Sequence, residues 1–234
     1  MVLAGAAVVL GLLYLAARQT SLFAVRTLEI SGAPPAVRAE VARAADGYLG
    51  TSLVSLDGDE LLRRLEALPT VRSLRYDRAF PHTLRLFVVP EEPAAVVRSG
   101  RDAWLVSVRG RVLRKLPRAT SSDLPRIRIN GDALSPGELL EEHSVRLALL
   151  AVSALPGDFP IAVRRVKARA GRITLVLRGG AEVRLGSRSG LPLKLAAAAR
   201  VLASLSEEER STLGYLDLTV PDRVVAADDS QLST

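Results

Sequence analysis

The chain has 234 residues, 48% of them apolar and 24% charged, a folded composition long enough for a membrane segment and one or two ordinary domains. It carries 32 Lys and Arg against 25 Asp and Glu, a net charge of +7, and no cysteine, which excludes disulfides and thiolate metal sites. Aromatics amount to 4% and basic residues alternate with acidic ones, which argues against a nucleic-acid-binding surface.

Met1 to Ala17 runs without a charge and Arg18 closes it. A spanning helix needs about 20 mostly apolar residues, with roughly 17 as the lower limit. A single transmembrane anchor over residues 1–20 is the expectation, set against a cleaved signal peptide, which normally carries a basic n-region, and a buried helix. Arg18 and Arg26 follow the apolar run, so charge does not fix the orientation of the anchor. A basic start upstream of Met1 is expected.

Residues 22–92 read as strand, helix, helix, strand, strand. Phe23 to Ser31 alternates as a strand, and Pro34 and Pro35 open a helix, where proline is tolerated in the first turn. Val37, Val41, Ala44 and Ala45 share one helical stripe that ends at Gly47 and Gly50; Leu61, Leu62, Leu65 and Leu68 form a second stripe, stopped by Pro69. Val71 to Phe80 and Thr83 to Val89 are strands joined by a turn at Pro81 and His82. Two helices on one face of three strands make a small α+β layer pair.

Residues 93–227 read as a mixed, β-rich domain with two helices. Ala94 to Val97, Ala103 to Val108 and Arg111 to Leu113 form a meander; Arg118 to Asp123 is a loop, and Leu124 to Ile129 a strand. Glu138 to Leu155 reads as a helix, Val163 to Ala168 with Arg172 to Leu177 as a hairpin, and Ala181 to Leu185 as a strand. Leu191 to Leu205 is an alanine-rich helix and Leu213 to Val220 the last strand. Residues 228–234 make a polar, flexible tail.

No catalytic or metal constellation converges. Asp57 stands three residues before Glu60, the spacing of a capping box. Glu141, Glu142 and His143 are consecutive, and neighbours in a helix point in different directions, so a solvated face is expected. Two histidines, His82 and His143, cannot build a His-rich metal site. The loop Gly186-Ser-Arg-Ser-Gly190 lacks the Gly-Lys-Ser/Thr ending of a P-loop, and no serine sits in a nucleophile elbow. Trp104, the single tryptophan, is expected in the core.

Three blocks resemble the FtsQ/DivIB family of bacterial cell-division proteins. Pro69, Val71, Phe80, Pro81, Thr83, Leu84 and Pro93 fill the places of the ending of that family's POTRA module. WLVSVRGRVL, from Trp104, is similar to the opening of its β domain. GSRSGLPLKLAAAARVLASL and then GYLDLTVPDRVVA resemble its C-terminal helix and strand. Departures fall at Pro90-Glu91, where a Glu-Arg pair is frequent, and at Ser107, where an aspartate is usual.

The resemblance implies a non-enzymatic, single-pass scaffold of the bacterial cytoplasmic membrane, its POTRA and β domains extracytoplasmic, acting in septum formation. Partners would be FtsB/FtsL-type membrane proteins, other divisome components and membrane lipid, with no nucleic acid, small-molecule substrate or cofactor. The alternative is a POTRA-bearing adaptor for secretion or outer-membrane assembly. Strand addition would join partner to scaffold. The edge expected to offer it is Tyr215, Leu216, Asp217, Leu218, Thr219 and Val220, followed by Arg223, Val224 and Val225, with Arg172 of the neighbouring hairpin as a further contact.

Overall fold

A computed structural model describes residues 21–117, 122–131, 133–220 and 225–228. The expected anchor, residues 1–20, lies outside them, as do Arg223, Val224 and the tail beyond Asp228. Among the described residues no helix is long and apolar enough to cross a membrane. The chain divides into two compact units between Glu91 and Glu92.

The first unit follows its local sequence signals. Strand β1 is Thr27–Ser31 and helix α1 is Pro35–Ala45, with proline at its start and Val41 and Ala45 buried. Helix α2, Gly58–Glu66, is capped by Asp57, whose carboxylate accepts from the amides of Asp59 and Glu60, both at 3.0 Å. That satisfies two of the donors every helix start leaves open. Strands β2 (Val71–Ala79) and β3 (Thr83–Pro90) form an antiparallel hairpin, and β1 pairs in parallel with β3, giving the order β1-β3-β2. Leu84, Leu86 and Val88 of β3 meet Val41, Leu61 and Leu65 of the helices in one core. Gly58 packs against Tyr76: a Cβ there would fall on the tyrosine hydroxyl, so a larger residue needs the ring to move. At the hairpin turn, His82 accepts from the amides of Arg26 and Thr27 through its carbonyl, at 2.9 and 3.2 Å, which ties the turn to the start of β1.

The second unit is one mixed sheet of nine strands in the order β12-β11-β10-β9-β8-β7-β4-β5-β6. The strands are β4 (Pro93–Ser99), β5 (Asp102–Ser107), β6 (Val112–Leu116), β7 (Arg126–Ile129), β8 (Val163–Arg169), β9 (Arg172–Leu177), β10 (Glu182–Gly186), β11 (Leu213–Asp217) and β12 (Val225–Asp228). Helices α3 (His143–Ser153) and α4 (Leu191–Ser204) pack on one face, α3 over β4, β7, β8 and β9 and α4 over β10. Their leucines, alanines and Val145 join Ile127, Val166, Leu175, Val183 and Leu216 in a single core, to which Trp104 also belongs. The opposite face of the sheet carries no helix among the described residues.

Two boundaries in the second unit differ from the sequence reading, and two elements there are new to it. The helix expected from Glu138 begins only at His143, because Glu138 to Leu140 pair with the chain at Gly110 to Val112: the Val112 amide donates to the Glu138 carbonyl at 2.8 Å and the Leu140 amide to Gly110 at 2.9 Å. A helix α5, Glu207–Thr212, unforeseen in the sequence, precedes β11; it opens on a capping box between Ser206 and Glu209. Hydrogen bonds from the backbone and side chain of Ser206 hold the Glu209 carboxyl below the usual carboxylate range. Strand β11 ends at Asp217 rather than Val220, and β12 was not anticipated.

Candidate partner-binding edge of the second sheet

Strand β11 is paired on both sides. Glu182, Val183 and Arg184 of β10 stand in parallel register with Tyr215, Leu216 and Asp217. On the other side β12 runs antiparallel, Val225 opposite Asp217 and Ala226 opposite Leu216. The expectation that Tyr215 to Val220 forms the sheet edge is therefore corrected. The outermost strand is β12, and of the expected contact residues only Val225, 45% exposed, stands on it.

Local chemistry explains why β11 stops. The Asp217 carboxylate accepts from the Thr219 amide at 2.8 Å, a side-chain turn that diverts the backbone from the ladder. The Leu218 amide donates to the Arg184 carbonyl at 2.8 Å. Both backbone donors are thus used within the chain, so neither Leu218 nor Thr219 offers its amide to an added strand. Leu216 and Leu218 are fully buried, whereas Val220, beyond the turn, is 56% exposed. Gly186 makes room for this turn: a Cβ there would lie 2.9 Å from the Thr219 methyl.

Electrostatics on the open face near β11 are internally balanced. The Arg184 guanidinium stacks 4.1 Å from the centre of the Tyr215 ring. Lys167 meets Glu182 at 2.7 Å, and Arg184 lies 3.8 Å from the same carboxylate. Burial pushes the Asp217 carboxyl up, but the hydrogen bonds from Thr219 and the nearby Arg184 charge outweigh it, and the group titrates below its ordinary value. Arg172 opens β9, exposed and two strands away from β11, so the fold does not bring it to Tyr215 or Val225.

The glycine loop before α4 is held from inside. Lys194, only 2% exposed, donates to the carbonyls of Leu185 and Ser187 at 2.7 and 3.2 Å. The sequence gives no sign of this, since a lysine in a helix ordinarily reads as solvated. Among the described residues no three His, Asp or Glu gather as a metal site.

A β-α-α-β-β unit followed by a broad, one-sided mixed sheet defines a two-unit α+β protein of the POTRA-bearing class. Two family profiles match it, "POTRA domain, FtsQ-type" over residues 23–89 and "Cell division protein FtsQ/DivIB, C-terminal" over residues 95–219. The chain belongs to the FtsQ/DivIB family of cell-division proteins. It is 31% identical to the cell division protein FtsQ of Streptomyces coelicolor over 166 residues, 68% of this chain and 63% of that one. It is 27% identical to FtsQ of Myxococcus fulvus over 187 residues, 78% of this chain and 65% of that one. The aligned part thus spans just under two thirds of each of these relatives. FtsQ of Geobacter sp. is 24% identical over 219 residues, covering 91% and 79%. The solved extracytoplasmic domain of the division protein DivIB from Geobacillus stearothermophilus overlays half of this chain, 50%, and 98% of its own, at 18% identity and a TM-score of 0.33. That overlay is too loose to carry weight, and the assignment stands on the two profiles.

Proposed function

We propose that the chain is a non-enzymatic, bitopic scaffold of the bacterial divisome that recruits FtsB/FtsL-type membrane proteins through extracytoplasmic domains. Family membership supplies the process, and the apolar run Met1 to Ala17 supplies the expected anchor in the cytoplasmic membrane. The observation that carries the binding mode is the position of β12. It is the terminal strand of the sheet, four residues long, and its outer side meets no strand among the described residues. Such an edge presents a row of backbone donors and acceptors to an incoming strand. In this reading Val225 and its strand make the contact, Arg223 and Val224 lead into it, and Tyr215 to Val220 support it from behind.

The test is capture of the extracytoplasmic segments of FtsB/FtsL-type proteins from the same genome by the full chain and by a chain ending at Val220. Micromolar or tighter binding by the full chain, lost in the shortened one while it still melts cooperatively, is the expected result. Equal binding by both rejects β12 as the contact. No binding by either favours the adaptor for secretion or outer-membrane assembly.

A further inference from the structure

Charge is distributed unevenly over the open face of the second sheet. Arg126 of β7 stands in register beside Arg165 of β8, and Arg98 of β4 beside Arg128 of β7. Alternation with the buried Val97, Ile127 and Val166 puts all four arginines on the face opposite the helices. Neighbouring strands lie about 4.8 Å apart, and like charges directly opposite one another are destabilising. None of the four makes an ion pair among the described residues, although farther along the same face Lys167 and Arg184 share Glu182. Val96, in register with Arg126 on this face, is only 4% exposed and does not belong to the core behind the sheet, which fits cover by arginine stems. The four arginines and Ile127 surround a crevice of about 30 Å³.

We propose that this arginine face docks an acidic segment of a polypeptide partner, its carboxylates seated between the paired guanidinium groups. Arginine presents a planar fork that matches a carboxylate with two parallel hydrogen bonds. The same sheet runs on through β9, β10 and β11 to its terminal strand β12. The choice of a polypeptide rests on the scaffold reading above; the demand for an anion does not.

The experiment titrates the full chain in neutral detergent with a fluorescein-labelled, glutamate-rich peptide, beside an Arg126→Gln/Arg165→Gln double variant and an Arg98→Gln variant. Saturable binding by the natural chain, weakened about tenfold or more in the double variant and abolished by high salt, is expected. The double variant melts at or above the natural chain, because a like-charge pair is relieved; Arg98→Gln gives the same direction from the other pair. Equal peptide affinity in all three proteins overturns the proposal. So does binding of polyphosphate or anionic vesicles with which the peptide does not compete, which assigns the face to phosphate. Self-association that the double variant loses, with no peptide binding, overturns it in favour of a second copy. Titration with the FtsB/FtsL-type segments separates the two readings. If the double variant binds them as the natural chain does, the arginine proposal fails and the scaffold stands; if the natural chain binds only the glutamate-rich peptide, the scaffold reading fails alone.

Discussion

The two units use their sheets in opposite ways. In the first, three strands are bounded by elements adjacent in sequence, and the central strand β3 brings Leu84, Leu86 and Val88 against two helices that precede it. In the second, nine strands form one sheet in which β6 closes one edge and β12 the other. The first unit takes its boundaries from caps and prolines and closes by pairing its first strand with its last, β1 with β3; the second pairs consecutive strands except where β4 meets β7.

The largest expected effect tests whether the units are separate. Leu84→Ala removes a fully buried side chain from the centre of the first core, which costs about 2–5 kcal/mol. Hydrogen exchange should then show β1, β2 and β3 losing protection while β8 and β9 keep theirs; equal loss in both units would merge them into one cooperative block. Gly58→Ala comes next. Its methyl displaces the Tyr76 ring, and overpacking of this kind costs about 1–3 kcal/mol, read as a lower melting point with a shift in the exchange of α2. Smaller still are the helix caps, one in each unit. Asp57→Ala and Ser206→Ala each remove a side-chain acceptor at a helix start, worth about 1 kcal/mol. Chemical denaturation measures both. A larger loss for Asp57 is expected, since α2 supplies Leu61 and Leu65 to its core while α5 buries no residue.

What was legible follows the same division. Pro35, Asp57, Pro69 and the leucine stripe of α2 mark boundaries through local backbone chemistry, and the first unit could be read almost strand for strand. Glu138 to Leu140 carry the apolar pattern of a helix start, yet the amides and carbonyls at Gly110 and Val112 claim them for an extended pairing. Nothing within those three residues signals that competition. At the candidate site the expected strand runs on to Val220, whereas the turn made by Asp217 ends it, leaving Leu216 and Leu218 buried and Val220 exposed. An aspartate two residues before a threonine amide is a signal the sequence does contain. Strand β12 is harder: four residues of Val, Ala, Ala and Asp have little strand propensity of their own and acquire it by lying on β11.

The smallest effect, and the one closest to the proposed contact, is the pH dependence set by Asp217. Its carboxylate is held below the ordinary value because Thr219 and Arg184 favour the charged form more than burial opposes it. A folded pKa lower than the unfolded one means that the unfolded chain binds the proton more readily. The stabilisation is therefore fully present above the unfolded value of about 4, and it is lost as pH falls through the lower folded value. Asp217→Asn removes this titration while keeping an acceptor for the Thr219 amide, so the variant should lose less stability than the natural chain across that acid window and should match its slope at neutral pH. Melting curves at a series of pH values compare the two. Because Asp217 stands opposite Val225, exchange of the β12 amides should rise with the same acid midpoint in the natural chain and not in the variant; identical profiles would mean that the turn at Asp217 does not hold the edge strand in place.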